Sequence, residues 1–120
     1  MAFTKFKHQS LHLLACYVLA VVCTLVCGVE LDYHNQGYTA VPSVMNTNGT
    51  VLRLGFNDIT ELLYDSFPGM ALLRHIDLRD NQIGSIDEDA FLSCASLLTL
   101  ELSGNQLTRL PTTFGPNTGR

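Results

Sequence analysis

Positively charged residues are scarce in most of this 120-residue sequence. Beyond residue 28 there is no lysine, and five arginines stand against all 11 acidic residues, which gives that part a formal charge of −6. A surface with this balance is repelled by the phosphates of nucleic acids and by anionic lipid headgroups. The composition therefore argues against nucleic acid as a partner and is compatible with a basic one.

Cysteine is equally scarce in the same part of the chain. Cys16, Cys23 and Cys27 precede residue 28, and only Cys94 follows it. A single thiol cannot form an internal disulfide, although it could pair with another chain. Because unpaired cysteine is among the most frequently buried residue types, we expect Cys94 to pack in the interior as a small hydrophobic side chain.

Catalytic and metal-binding motifs are absent as well. The sequence contains no H-E-x-x-H zinc motif, no nucleophile elbow, no phosphate-binding glycine loop and no cysteine with a positioned base. We therefore predict no enzyme activity, no cofactor and no metal site.

One long apolar run is present, from Leu11 to Val29, and Lys5 and Lys7 precede it. This layout is typical of a secretory signal peptide, and small residues near Gly28 predict cleavage after that residue. The run also approaches the roughly 20 residues that span a bilayer, so an uncleaved anchor remains the alternative. Upstream positive charge places the rest of the chain outside the cell in either case, which predicts a secreted or cell-surface location.

A period of 24 residues organises the remaining sequence. Leucines recur at this spacing as Leu54, Leu78 and Leu102, and asparagines recur as Asn57, Asn81 and Asn105. The surrounding segments are LRLGFNDITEL, IDLRDNQIGSI and LELSGNQLTRL. All three fit L-x-L-x-x-N-x-L-x-x-L, with isoleucine at some leucine positions. An internal period of this length predicts a solenoid of stacked turns.

These segments resemble the leucine-rich repeat, and their length resembles the typical extracellular animal class found in Toll-like receptors, small matrix proteoglycans and neuronal adhesion receptors. The resemblance covers roughly residues 30–115. It implies an α/β fold: a short solenoid or horseshoe with a concave parallel sheet and a mostly irregular convex side, preceded here by a hydrophobic leader helix. It also implies binding of a protein or another extracellular macromolecule.

The spacing has a physical reason that is independent of the resemblance. Side chains alternate along a strand, so the two leucines of L-x-L point to one side and the residue between them points to the other. Stacked parallel strands then share one core. The asparagines fall at the bend after each strand, where their side chains can both donate to and accept from unpaired backbone groups. We expect Asn57, Asn81 and Asn105 to form a ladder along the solenoid.

The same phase divides the chain into a leader (1–28), an N-terminal cap (29–48) and repeats (49–72, 73–96 and 97–120). The cap departs from the resemblance because it has no cysteine, and a native disulfide in a small secreted domain contributes about 2–5 kcal/mol. The third repeat has no capping segment, whereas terminal repeats need a polar outer face. We expect an N-terminal fragment of a longer receptor, whose missing region would attach it to the membrane, or self-association at this end. A short, complete secreted matrix or decoy protein is the alternative.

Outward-facing strand residues would line the concave face, which solenoids use for binding. We predict partner contacts at Asp32, His34, Arg53, His75, Asp77, Arg79, Thr99, Glu101 and Ser103. Arg53, Asp77 and Glu101 share one column, in which Arg53 could pair with Asp77. Phe56 is either an apolar contact beside a strand end or a residue that packs on the cap. The alternative is that these charges only keep the sheet solvated.

Asn48-Gly49-Thr50 is the only N-glycosylation sequon in the sequence. It falls in the link between the cap and the first repeat, where we expect a surface loop. We therefore predict glycosylation of Asn48 in an extracellular chain.

Overall fold

A computed structural model describes residues 28–114 of the chain. They form six strands: β1 (Val29–Asp32), β2 (Gly49–Arg53), β3 (Glu61–Leu62), β4 (His75–Asp77), β5 (Ser85–Ile86) and β6 (Thr99–Glu101). The predicted leader and its helix, residues 1–28, lie outside the described residues apart from Gly28, as do residues 115–120 of the predicted third repeat. Within the described part, no helix has the length and apolar character needed to cross a bilayer.

Four of the strands form one parallel sheet in the order β1, β2, β4, β6. Leu52 lies opposite Ile76, which lies opposite Leu100. One step of 24 residues therefore leads to the equivalent position on the next strand, which confirms the predicted solenoid with a parallel sheet. The pairing of β1 with β2 is irregular near its start, where the register shifts between Val29 and Glu30.

The opposite limb of the solenoid carries a second, smaller parallel sheet, in which β3 pairs with β5. On the same limb, the rings of Phe67 and Phe91 are stacked with their centres 5.4 Å apart. Phe114 is one residue out of phase, yet its ring centre still lies 5.6 Å from that of Phe91. Aromatic packing therefore continues through three successive turns, although regular strand pairing here is short.

The inward-facing residues of L-x-L build the core of the solenoid. Leu52, Leu54 and Leu78 are fully buried, and Cys94 is 1% exposed. Burying one such aliphatic side chain contributes about 1.5–3 kcal/mol. Leu102 in the third turn is only half-buried, so the described core is densest in the first two turns.

Asparagine side chains satisfy the backbone at the bend that follows each strand of the larger sheet. The amide nitrogen of Asn81 donates to the carbonyl oxygens of Leu54 and Leu78, at 3.0 Å in both cases. Its oxygen accepts a backbone N–H of the preceding turn at 3.1 Å. Asn57 and Asn105 make corresponding bonds within their own turn and to the segment before it. Each asparagine thus links two neighbouring turns through groups that the bend would otherwise leave unpaired.

Candidate binding face on the parallel sheet

Alternate side chains of the larger sheet point away from the core and form a surface that we call the sheet face. Its residues lie in three rows that run across the strands. The first row contains Glu30, Val51, His75 and Thr99; the second contains Asp32, Arg53, Asp77 and Glu101; the third contains His34, Gly55, Arg79 and Ser103. All nine residues that the sequence analysis selected for partner contact lie in these rows.

The ion pairs of the sheet face differ from the expected pairing of Arg53 with Asp77. Arg53 instead pairs with Glu30, while Asp77 receives hydrogen bonds from the Arg79 guanidinium at 2.7 Å and 2.9 Å. The fork of an arginine side chain matches two carboxylate oxygens, and Arg79 lies two residues further along the same side of its strand. Glu30 was missed because the irregular register of β1 has no counterpart in the 24-residue period.

The contacts of Asp77 keep its charge in place. Burial raises the pKa of Asp77, but the hydrogen bonds and the positive charge of Arg79 outweigh that effect and hold the pKa below its usual value. An additional hydrogen bond joins the Asp77 carboxylate to the Arg79 backbone N–H at 3.1 Å. Asp77 and Arg79 therefore form a fixed, charge-balanced pair in the middle of the sheet face.

A repeated turn at the strand ends orients three carboxylates of the second row. Asp32 accepts the backbone N–H of the residue two positions later at 3.0 Å, Asp77 does so at 3.1 Å and Glu101 at 3.0 Å. Hydrogen bonds from Ser103 lower the pKa of Glu101 as well. The row therefore presents acidic groups in defined orientations.

Phe56 occupies a position that the sequence analysis left open. Its φ is +56°, in the left-handed region, and its side chain is 47% exposed. Its ring centre lies 4.9 Å from that of His34, so it contacts the predicted cap and solvent at once. A bulky residue in this conformation stores about 1–3 kcal/mol of strain. The period offered a signal, because Asp80 and Gly104 stand at the equivalent positions and tolerate positive φ more readily.

Two further features bear on chemistry at this surface. Within residues 28–114, no group of three or more histidine, cysteine, aspartate or glutamate side chains could hold a metal ion. Asn48 is exposed and lies at the start of β2, where it lines a shallow depression with Thr50, Leu72 and Arg74. The Thr50 hydroxyl donates to the Val29 carbonyl oxygen at 3.2 Å.

The chain belongs to the leucine-rich repeat family. The stacked parallel strands and asparagine-lined bends agree with this assignment, and residues 48–107, half of the chain, match the family "Leucine rich repeat".

Several curated proteins are similar to parts of the chain. Leucine-rich repeat-containing G-protein coupled receptor 5 of Homo sapiens is 31% identical over 84 residues, which cover 70% of this chain and 9% of the relative. Transforming growth factor beta activator LRRC32 of Mus musculus is 33% identical over 110 residues, covering 84% and 16%. Toll-like receptor 2 type-2 of Gallus gallus is 40% identical over 82 residues, covering 68% and 10%.

The chain spans less than a fifth of the length of each of these three relatives. They are extracellular or cell-surface proteins, and they are receptors or an activator of a growth factor rather than enzymes. The comparisons thus support an extracellular location and a non-enzymatic binding class.

Proposed function

We propose that this chain is an extracellular binding module that recognises a protein partner through the sheet face, as the N-terminal part of a receptor or adhesion protein. The observation that carries the proposal is the ordered array of charged groups on an otherwise regular sheet: Asp32, Arg53, Asp77 and Glu101 lie side by side on four strands. Complementary charge on a partner would steer association and fix the orientation of the complex.

The chemistry of the sheet face favours a partner with basic groups. Its two arginines are already paired within the chain, with Glu30 and Asp77. Asp32 and Glu101 stand at either end of the second row and receive backbone hydrogen bonds only from their own strand ends. These two carboxylates are therefore accessible to a cationic partner, and the −6 charge beyond residue 28 acts in the same direction.

The test is a charge reversal in the middle of the row. Labelled protein with Arg53→Glu plus Asp77→Lys is compared with the unchanged chain for binding to intact cells, with unlabelled protein as competitor. We expect the variant to lose competable binding while its circular dichroism stays unchanged. The matched control, Glu61→Lys plus Arg109→Glu, reverses one charge of each sign at exposed positions outside the sheet face and should bind normally. Equal binding by both variants would remove the sheet face from consideration.

Modification of Asn48 by an N-linked glycan is part of the proposal. The side chain is exposed, and the backbone N–H of Asn48 is held by Asn46 at 2.9 Å in the turn before β2. This position lies at the opposite end of β2 from Arg53, so a glycan would leave the second row open. A mass decrease after glycosidase treatment of the secreted chain, absent in Asn48→Gln, is the expected result.

A further inference from the structure

One exposed aromatic pair stands at the edge of the sheet face, where the strands end. The ring of Phe56 lies against that of His34, with their planes inclined by 57°. We propose that this pair, the aromatic edge, binds an arginine or lysine side chain presented by an extended segment of a protein partner. The proposal rests on the proposed function, because it specifies which chemical group of the partner meets the sheet face and where.

The first argument is the backbone conformation of Phe56. Its φ of +56° is matched at the equivalent bends by Asp80 at +52° and Gly104 at +71°. Glycine has no Cβ to clash in this region, and aspartate is enriched there. Phenylalanine has neither advantage, and with nearly half of its side chain exposed it gains little from burial in the core. An aromatic residue in a strained, exposed position is typical of a site selected for binding.

The second argument is that the ring is held in place before any partner arrives. The Phe56 backbone N–H donates to the Arg79 carbonyl oxygen at 3.0 Å. The neighbouring Gly55 carbonyl accepts from the Asn35 N–H at 3.0 Å and from the Asn57 amide at 3.3 Å. The backbone is therefore fixed on both sides of the bend. A rigid aromatic side chain loses little conformational entropy on binding, which is why such residues dominate the energetics of many interfaces.

The third argument is the charge around the ring. Asp32 is exposed, and one of its carboxylate oxygens accepts the backbone N–H of His34 at 3.0 Å, so a negative charge lies next to the aromatic edge. Among residues 28–114, the ion pairs are those of Arg53 with Glu30 and Arg79 with Asp77, and neither involves Asp32. A cation over the ring would gain both the cation–π contact and this carboxylate. A neutral aliphatic group would gain only apolar contact.

The test uses the full chain and three capped pentapeptides, Gly-Ser-X-Ser-Gly, in which X is arginine, leucine or glutamate. Backbone amide shifts are followed by NMR as each peptide is titrated. We expect the arginine peptide to shift the His34 and Phe56 amides in a saturable way and the other two peptides to leave them unchanged. Equal shifts with the leucine peptide would overturn the assignment to a cationic group.

The decisive variant is Phe56→Asn, because asparagine is neutral and accepts positive φ. We expect about threefold weaker binding of the arginine peptide, as for loss of an exposed cation–π contact, together with an unchanged or higher melting temperature. The control Leu98→Asn replaces another exposed apolar side chain, 74% accessible, and should retain binding. A melting temperature that falls by several degrees in Phe56→Asn alone would show that the ring is held for packing, which contradicts the proposal.

Failure of this inference can be told apart from failure of the proposed function. If Phe56→Asn binds intact cells normally while Arg53→Glu plus Asp77→Lys does not, the sheet face is the binding surface and the aromatic edge is not its anchor. If both variants bind normally, both proposals are wrong.

Discussion

Replacement of Asn81 by alanine tests the reasoning on how the turns are held together. The Asn81 side chain is 6% exposed and makes four hydrogen bonds: its nitrogen donates to the carbonyls of Leu54, Leu78 and Arg79, and its oxygen accepts the Ile59 N–H. Each bond contributes about 1 kcal/mol, and buried backbone groups left unpaired cost further. With partial relief by entering water, we expect Asn81→Ala to lower the free energy of unfolding by about 3–4 kcal/mol.

That loss is large against the about 4–13 kcal/mol expected for a domain of this size. The assay is urea unfolding followed by far-ultraviolet circular dichroism. Asn105→Ala is the internal comparison, because Asn105 makes the same four types of bond but is only half-buried, so that water can replace them. We expect it to cost about 1–2 kcal/mol. Equal losses at the two positions, or a loss at Asn81 below about 1 kcal/mol, would refute the argument from burial.

Three further predictions concern other parts of the described chain. Hydrogen bonds from the Thr112 backbone and hydroxyl lower the pKa of Glu88, so they stabilise the third turn at neutral pH and are lost as the pH falls through that lowered pKa; the Thr112 amide shift should titrate there, and should not in Glu88→Gln. Burial raises the pKa of the Cys94 thiol to about 12, so iodoacetamide should label it only after unfolding. Gly104→Ala should cost about 1–3 kcal/mol in urea unfolding, because φ is +71° and the new Cβ meets an aspartate side chain, whereas Gly84→Ala has open space and should cost less than about 1 kcal/mol.

The period predicted the stacking of strands because every core leucine repeats with it. Leu52, Ile76 and Leu100 lie opposite one another for this reason. It could not predict the partner of Arg53, because Glu30 reaches it through a register shift that occurs once, outside the repeats.

The candidate site was predictable as a surface and not in its contacts. Strand alternation placed the face residues in rows, since it depends only on the pleat of the backbone. The contact of Phe56 with His34 depends on a left-handed bend next to the predicted cap, and bulky residues seldom adopt that conformation. The sequence alone therefore left both roles of Phe56 open.

The regular register also determines which changes in length the protein can accept. Asn81 bonds to the turn before it just as Asn105 bonds to the turn that contains Leu78. A tandem duplication of the DNA that encodes residues 73–96 would therefore supply a new turn with matching neighbours on both sides. Deletion of a single codon within a strand would instead exchange the inward and outward side chains downstream of it. We expect such genes to lengthen and shorten in whole repeats.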